Sequence, residues 1–464
     1  MIAVYLKQKR SKRLEHGHPW ILLHEIDRMD GATRPGDLVK VFDHSRRFIG
    51  TGMINTHAQV MIRMISFDHI DRMDEAFFRA RFEQCLKFRQ RFVPDAHVYR
   101  FVHGEADFLP GLIVDRFDDY FVVRLLSVGM EIRRKAIVQA LVKLFHPAGI
   151  YEASDANERE LEGLRPRSGV LYGQVPPGLE LNHGEMAIRI DVRDPEQVDL
   201  FLRQRENLQL LAPLMKQACV VHAASQNGWF QEEPLAYAGE SVPLSVAEGA
   251  NVLDCYANYG YFALHALKYG ARKVTCLDVS DERIEHAKQN MARNGFHERA
   301  AWVKQDGADF LRKQVQMNKE YIEQLHSKNS SKRTNGDKVF RLWDVVILNP
   351  PAFAKSQKEL KHALRSYKDL NLHAMKLVVD GGFLITSCSS RHVGFDQFLN
   401  MLEAAAADAG KLLRMVNYRG AGEDYPHLIG VNIGNELKFA VFEVRSRKSA
   451  ASVLQQRKKE EAYK

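Results

Sequence analysis

The stretch NVLDCYANYGYFALHALKYGARKVTCLDV, Asn251 to Val279, decides the fold. NVLDCY reads as a strand, YFALHALKYG as a helix and KVTCLDV as a second strand. The same rhythm continues through ERIEHAKQNMARNG, AAWVKQD, LWDVVILNPP, LNLHAMKLVVDGG and FLITSCS. Strands alternating with helices of about 10–15 residues specify a parallel, doubly wound sheet. The predicted fold class is α/β, with a Rossmann-like domain in the second half of the chain.

In an open α/β sheet, ligands bind beyond the carboxyl ends of the strands. Asp254 stands at the end of the first strand, Asp278 at the end of the second and Asp306 after AWVKQ. An acid about 20 residues past the first turn is placed to hold a ribose hydroxyl. The turn DCYANYGYF contains Tyr256 and a single glycine, Gly260, so there is no G-x-G-x-x-G cradle for a pyrophosphate. A nucleoside cofactor without phosphates fits better, and S-adenosylmethionine is the candidate. Asp278 would hold the ribose, Asp306 the adenine amino group, and the turn the methionyl part. Each acid alone is better explained as a cap on the helix that follows it; three in register on successive strands favour the cofactor.

Further along, DVVILNPPAFAKS places Asn349, Pro350 and Pro351 after an apolar strand, with Phe353 close behind. Two prolines stiffen the chain into an extended turn. Such a turn can hold the Asn349 carboxamide and the Phe353 ring against a flat base. The next strand ends in TSCSSRH, with Cys388 between serines and followed by Arg391 and His392. Free cysteine is among the residue types most often buried for packing alone. A thiolate, however, can add to carbon 6 of cytosine and make carbon 5 nucleophilic, splitting one hard step into easier ones. Polar or cationic neighbours such as Ser387, Ser389, Arg391 and His392 would favour ionisation of a thiol whose ordinary pKa is about 8.5. His392 and Lys355 are candidate acceptors for the carbon 5 proton.

Upstream, the first 70 residues alternate apolar and polar positions between turn signals, as in RPGDLVKVFDHSRRFIGTGMINTHAQVMIRMIS, and predict a small β-barrel. DEAFFRARFEQCLKFRQRF has helical apolar spacing with an arginine-rich opposite face. Residues 71–193 read as an α+β domain and 194–445 as the catalytic domain. The latter opens on a helix, LFLRQRENLQLLAPLMK, and carries insertions at 217–249 and 314–338, the second a polar loop. A charged tail occupies 446–464. Across 464 residues the net charge is +8, which leans towards a polyanionic partner. KQKRSKR and the arginine-rich helix offer phosphate contacts, which position RNA without reading its sequence. Five scattered cysteines fit neither a disulfide framework nor a metal site. With no apolar run of about 20 residues and no secretory leader, a cytoplasmic protein without a membrane partner is expected; a homodimer is compatible.

These motifs together resemble the bacterial 23S rRNA cytosine-5 methyltransferases that carry an N-terminal PUA domain. His18-Pro19-Trp20, GEADFLPGLIVDRF (104–117), FLRQREN (201–207), LDCYANYGYF, NPPAF, SYKDLN and SCS occur in that family's order. The resemblance implies an RNA-binding PUA domain, a central α+β domain and a class I methyltransferase domain acting on large-subunit rRNA. It also implies that Cys388 is the nucleophile, and that Gln204 and Arg205 help to enclose the cofactor. The chain departs from the family at Asn349 (usually Asp), Ala352 (usually Lys), Tyr261 (usually Gly) and Arg203 (usually Asp). Two alternatives stay open. One is an amino-group methyltransferase on guanine N2 or adenine N6, built on Asn349-Pro350-Pro351. The other is a non-catalytic, ribosome-associated RNA-binding homologue.

Overall fold

The computed structural model describes residues 2–8, 12–94, 97–154, 158–216, 249–326, 341–354, 356–429, 431 and 436–447. The chain divides into two compact units, Met1–Arg205 with Ala421–Asn435, and Glu206–Gly420 with Glu436–Lys464.

In the first unit, period-two alternation produces a six-stranded sheet. Its order is Trp20–Leu22, Val60–Ser66, Phe48–Ile54, Leu38–Phe42, Ile2–Leu6 and Ile26–Asp30. Successive residues of a strand face opposite sides, so Val39 and Val41 are buried with Val4, Ile54 and Ile62 while Lys40 is not. A five-stranded sheet follows, in the order Arg167–Gly173, Gly149–Ser154, Tyr120–Leu125, Leu112–Phe117 and Val98–His103.

Helix Glu75–Phe92 is capped by Asp74, which accepts the Phe77 N–H at 3.1 Å. It buries Phe78, Phe82, Cys85 and Arg89, spaced along one face. The arginine-rich face expected to meet phosphates is therefore partly internal. Arg89 is 1% exposed and donates to Asp107 at 2.7 and 3.0 Å and to the Arg100 carbonyl at 2.9 Å. Arg81 donates to the Ile65 carbonyl at 3.2 Å.

The helix expected over LFLRQRENLQLLAPLMK is broken in the structure. An α-helix spans Pro195–Gln204, a 3-10 turn Asn207–Leu211 and a short helix Ala212–Met215. Pro213 accounts for the second break: it lacks an N–H and its ring would clash with the Gln209 carbonyl in a continuous helix, but it is tolerated where a new helix starts.

The second unit carries the doubly wound sheet. Its strands are β1 (Asn251–Cys255), β2 (Lys273–Asp278), β3 (Ala300–Lys304), β4 (Trp343–Leu348), β5 (Val378–Cys388), β6 (Lys411–Arg419) and β7 (Lys438–Ser446). Their order is β3-β2-β1-β4-β5-β7-β6, with β1 to β5 parallel and β7 antiparallel to both neighbours. The crossovers include α1 (Tyr261–Lys268), α2 (Asp281–Arg293), α3 (Gly307–His326), α4 (Leu360–Leu377) and α5 (Phe395–Ala409). Leu253, Leu348, Leu384, Tyr367, Leu370 and Phe398 lie in one buried cluster joining sheet and helices.

The polar loop expected at 314–338 begins later than its sequence suggests. Helix α3 runs on to His326, because Leu311 and Val315 fall one turn apart on the core side; 327–340 lie outside the described residues, as do 217–248 and 448–464. No helix among the described residues is long and apolar enough to cross a membrane.

Candidate active site at the carboxyl ends of the sheet

Strand order reverses between β1 and β4, where a doubly wound sheet opens its crevice. Cys255 lies opposite Leu348 there, and Asn349 N–H reaches the Cys255 carbonyl at 3.4 Å. The turn leaving β1 is held in an unusual conformation: Tyr256, Asn258 and Gly260 have φ of +63°, +50° and +78°. A non-glycine residue in this region costs on the order of 1 kcal/mol or more, so the surroundings must enforce it. They do so from β2 and α2. The Asn258 N–H donates to Asp278 Oδ2 at 2.8 Å, Asn258 Nδ2 donates to the Tyr256 carbonyl at 2.8 Å, and Arg283 donates to Asn258 Oδ1 at 2.8 Å. Gly260 begins α1, and a Cβ there would stand 2.8 Å from the Ala287 Cβ. Its missing side chain is therefore space that α2 already occupies.

The three strand-end acids have three different environments. Asp254 is wholly buried, and neither carboxylate oxygen has a hydrogen-bond partner among the described residues. Burial pushes its pKa up to about 8; the Ala263 N–H, outside ordinary bonding geometry, offsets this in part, and Asp278 adds to it. Asp278 accepts Asn258 N–H on one oxygen and Ser280 N–H, at 3.0 Å, on the other. Each oxygen keeps a second lone pair. Asp306 caps α3 through Oδ1, which accepts the Ala308 and Asp309 N–H groups at 2.9 and 3.1 Å. Beside it, a Cβ on Gly307 would come within 2.9 Å of the Tyr256 ring. Burial and the neighbouring Asp306 push the Tyr256 phenol up, so it stays protonated.

On β4 and β5 the polar groups are tied to one another. Asn349 is 9% exposed, and Ser387 donates to its Oδ1 at 2.7 Å. Cys388, 0% exposed, lies in the core cluster at the carboxyl end of β5. Tyr367, on α4, is buried in the same core cluster as Cys388, and burial and that thiol both push its phenol's pKa up. That hydroxyl donates to the Pro351 carbonyl at 3.3 Å and accepts the Phe353 N–H at 3.4 Å. The Phe353 and Tyr367 rings pack 4.6 Å apart.

The cation directly opposite Cys388 across the β5–β7 pairing is Lys438. Lys438 is 4% exposed, and its ammonium donates to the Ser390 and Glu436 carbonyls, both at 2.6 Å. Ser390 Oγ donates to the Ala354 carbonyl at 2.8 Å, which fastens the Pro-Pro turn to the segment after Cys388. Tyr367 and Lys438 were not singled out from sequence. Tyr367 lies in SYKDLN, one of the motifs that carry the family resemblance, but Ala363, Tyr367, Leu370 and Ala374 also share the spacing of an ordinary core face. For Lys438 the available signal was a lysine opening an otherwise apolar strand, KFAVFEV. Lys355 lies outside the described residues.

Gln204 and Arg205 belong to the first unit. Gln204 is buried, and the Arg205 guanidinium meets the Val98 carbonyl and, at 3.4 Å, Asp424. Arg203, one of the departures from the family pattern, pairs with Asp199 one turn earlier on its helix. Tyr261 is 3% exposed at the start of α1. A surface cavity of about 550 Å³ lined by Glu285, Lys288, Met291, His297 and Trp302 shares no residue with the strand-end cluster.

Comparison with known proteins agrees with this architecture. Residues 4–67 match the model of a PUA-like domain. A solved SAM-dependent methyltransferase from Streptococcus mutans superposes with a TM-score of 0.70 at 16% identity, covering 96% of this chain and all of that one. A second such structure, with the same score, was solved as a complex with SAH. The ribosomal RNA large subunit methyltransferase I of Alteromonas mediterranea is 31% identical over 444 residues, 95% of this chain and 98% of that protein. That of Klebsiella pneumoniae is 31% identical over 428 residues, 91% of this chain and 93% of its own. With a PUA-like domain at its start, a methyltransferase sheet at its end and this near-complete alignment, the chain belongs to the ribosomal RNA large subunit methyltransferase I family.

Proposed function

We propose that this chain transfers a methyl group from S-adenosylmethionine to carbon 5 of a cytosine in large-subunit rRNA, with Cys388 as the attacking thiolate. The observation that carries this is the convergence of Asn349 and Cys388 at adjacent strand ends, with Ser387 bonded to one and Tyr367 beside the other. Names of relatives support the rRNA substrate. The domain division is proposed as before: residues 1–70 bind RNA, 71–193 link, and 194–445 hold the chemistry.

The donor suits the β1 and β2 ends. Among the described residues the buried Asp254 carboxyl has no hydrogen-bond partner, which calls for a cationic or donating group. Asp278 has lone pairs left for a ribose diol, and Asp306 Oδ2 is left for an amino group by a cap made through Oδ1 alone. When bound, the cofactor supplies an electrophilic methyl group on a sulfonium. Asn349 would hold the base edge, the Pro350-Pro351 turn and Phe353 its flat face.

The Cys388 thiol loses its proton to water and the sulfur adds to carbon 6. The electron pair of the carbon 5–carbon 6 double bond would shift onto carbon 5, conjugated through carbon 4 to ring nitrogen 3. Carbon 5 would take the methyl group as the bond from the methyl carbon to the donor sulfur breaks and leaves a neutral thioether. Loss of the carbon 5 proton restores the double bond as the sulfur–carbon bond breaks, returning the thiolate. His392 is the described candidate for that proton.

Covalent trapping tests this. In rRNA carrying 5-fluorocytidine, fluorine at carbon 5 cannot leave as a proton, so a thiol enzyme stalls as a denaturant-resistant adduct. An adduct with the natural protein that vanishes in Cys388→Ala is expected. Undiminished methylation of ordinary rRNA by Cys388→Ala would overturn it.

One observation favours a second reading. Cys388 is 0% exposed whereas Asn349 retains some exposure, as transfer to an exocyclic amino group at Asn349 would need. Mass spectrometry of the methylated nucleoside separates the two, since a methyl on a ring carbon excludes the amino-group reaction.

A further inference from the structure

The six-stranded sheet of the first unit carries, on its outer face, a row of rings that its core does not use. Strand pairing sets Arg28 opposite Tyr5, Tyr5 opposite Phe42 and Phe42 opposite Phe48. The Tyr5 and Phe42 rings stack with centres 5.4 Å apart, and Phe48 meets Phe42 edge-on at 5.7 Å. His69, just past the strand Val60–Ser66, lies flat on Phe48, with centres 3.8 Å apart and 18° between the planes. At the other end the Arg28 guanidinium stands 4.3 Å from the centre of the Tyr5 ring. None of the three strand rings packs against the core of Val4, Val39 and Val41 on the opposite face. All three stay partly exposed, and His69 is exposed.

We propose that Tyr5, Phe42, Phe48 and His69 form a stacking platform for unpaired rRNA bases, with Arg28, Lys40 and Arg46 meeting the phosphates. This rests on residues 1–70 binding RNA, and it names the face that does so. Every base has an apolar face that an aromatic ring can cover, whatever the sequence. In a duplex those faces are already stacked on neighbouring bases, so a row of rings selects single strands, loops and bulges.

Aromatic cross-strand pairs also stabilise a sheet by themselves, and that accounts for Tyr5 with Phe42. It does not account for His69, which joins the row from outside the sheet. With one face of its ring against Phe48, the exposure of His69 falls on the other face and the edges. The hairpin between Phe42 and Phe48 is fixed in advance. The buried Asp43 carboxylate accepts the Ser45 N–H at 2.8 Å, the Arg47 N–H at 2.9 Å and Arg47 Nε at 3.0 Å. Arg46 stands exposed at the tip of that hairpin, with φ of +63°. Lys40, two residues before Phe42 and therefore on the same face, is partly exposed. Neither Lys40 nor Arg46 has an ion-pair partner among the described residues. Asp30, the acid on this face, stands 4.0 Å from Arg28, and both side chains are 50% exposed. The first 70 residues hold eleven lysines and arginines against seven acids, a surplus that favours a polyanion over a protein as the cover for these rings.

The test uses the full chain and a labelled single-stranded RNA of about 12 nucleotides, within the usual site size, alone or annealed to its complement. Binding is read by fluorescence anisotropy without S-adenosylmethionine, so it does not depend on which atom is methylated. Phe48→Leu combined with His69→Ala should weaken single-strand binding about tenfold, the loss expected from one base stack, and leave duplex binding unchanged. His69→Ala alone removes an exposed ring without touching the core and should give part of that loss. A thermal melt controls for folding. Unchanged single-strand binding in both variants would return the row to packing, or to a protein partner, and overturn the proposal. An equal loss on both probes would overturn it too, since rings that stack on bases cannot act on a duplex. If the unaltered chain binds neither probe, the RNA-binding assignment of residues 1–70 falls, and the platform with it.

Discussion

Asp115 and Asp254 are both aspartates at 0% exposure within β-strands, one in each unit, and their surroundings are opposite. Asp115, in Leu112–Phe117, accepts Arg100 at 2.8 and 3.2 Å and Arg124 at 3.1 Å. Arg100 is itself buried, bonds Asp199 at 3.1 Å and lies 4.3 Å from the centre of the Tyr425 ring. Asp254 has no such partner among the described residues, and its pKa rises to about 8. A buried charge is tolerated when paired and hydrogen-bonded, and otherwise takes up a proton. The first aspartate belongs to the architecture. The second is left uncompensated at some cost in stability, the condition expected of a position where a ligand would supply the missing partner.

Removing the partnered acid should have the larger effect. Asp115→Ala leaves Arg100 and Arg124 facing a void, and breaking a buried pair on one side costs about 3–5 kcal/mol. Denaturant unfolding should register that loss; a change below about 1 kcal/mol, the level of an exposed pair, would show that Asp199 alone satisfies both arginines.

Asp254→Asn should act in the reverse direction. The folded pKa of about 8 lies above the ordinary 3.8, so between those values the folded protein holds a proton that the unfolded chain has released. Stability therefore falls as pH rises through that window and levels off above it. Asparagine removes this dependence. Its gain should be near zero at pH about 4 and grow to at most a few kcal/mol by pH about 8, tempered by a buried carboxamide that also lacks partners. Thermal melts across that range check it, and calorimetry with S-adenosylmethionine should show weakened binding. A gain independent of pH would remove the charge from the explanation.

The smallest effect belongs to an exposed pair, Lys304 with Asp281, whose side chains are 57% and 76% exposed. Lys304→Ala should change stability by no more than about 0.5 kcal/mol, and less in high salt. A larger loss in a urea titration would mean that solvent screening is a poorer guide here than burial.

Local pattern carried much of the layout. The alternation of strand and helix from Asn251 onward specified the sheet, and turn chemistry placed Asp254, Asp278 and Asn349 at its carboxyl ends. Where local signals misled, a non-local partner was responsible. Arg89 looked like one more cation on a solvated helix face, but Asp107 and the Arg100 carbonyl draw it inside. Helix α3 outran the expected loop because Val315 has a core to meet. Lys438 faces Cys388 across the β5–β7 pairing from 50 residues away, a neighbour that no local signal beside Cys388 announces.

The sequence by itself determined the order of the elements, the class of the fold and the strand ends at which chemistry is possible. Hydrophobic period, proline and glycine act over a few residues and can be read there. What only the tertiary structure decided is which polar groups share a space. Among the described residues Asp254 is left without a hydrogen-bond partner, Ser387 is spent on Asn349, and the Tyr367 hydroxyl is bonded to the Pro-Pro turn. Hydrogen bonds and pKa shifts depend on distances of about 3 Å between atoms, and those distances come into being only when strands distant in the chain lie side by side.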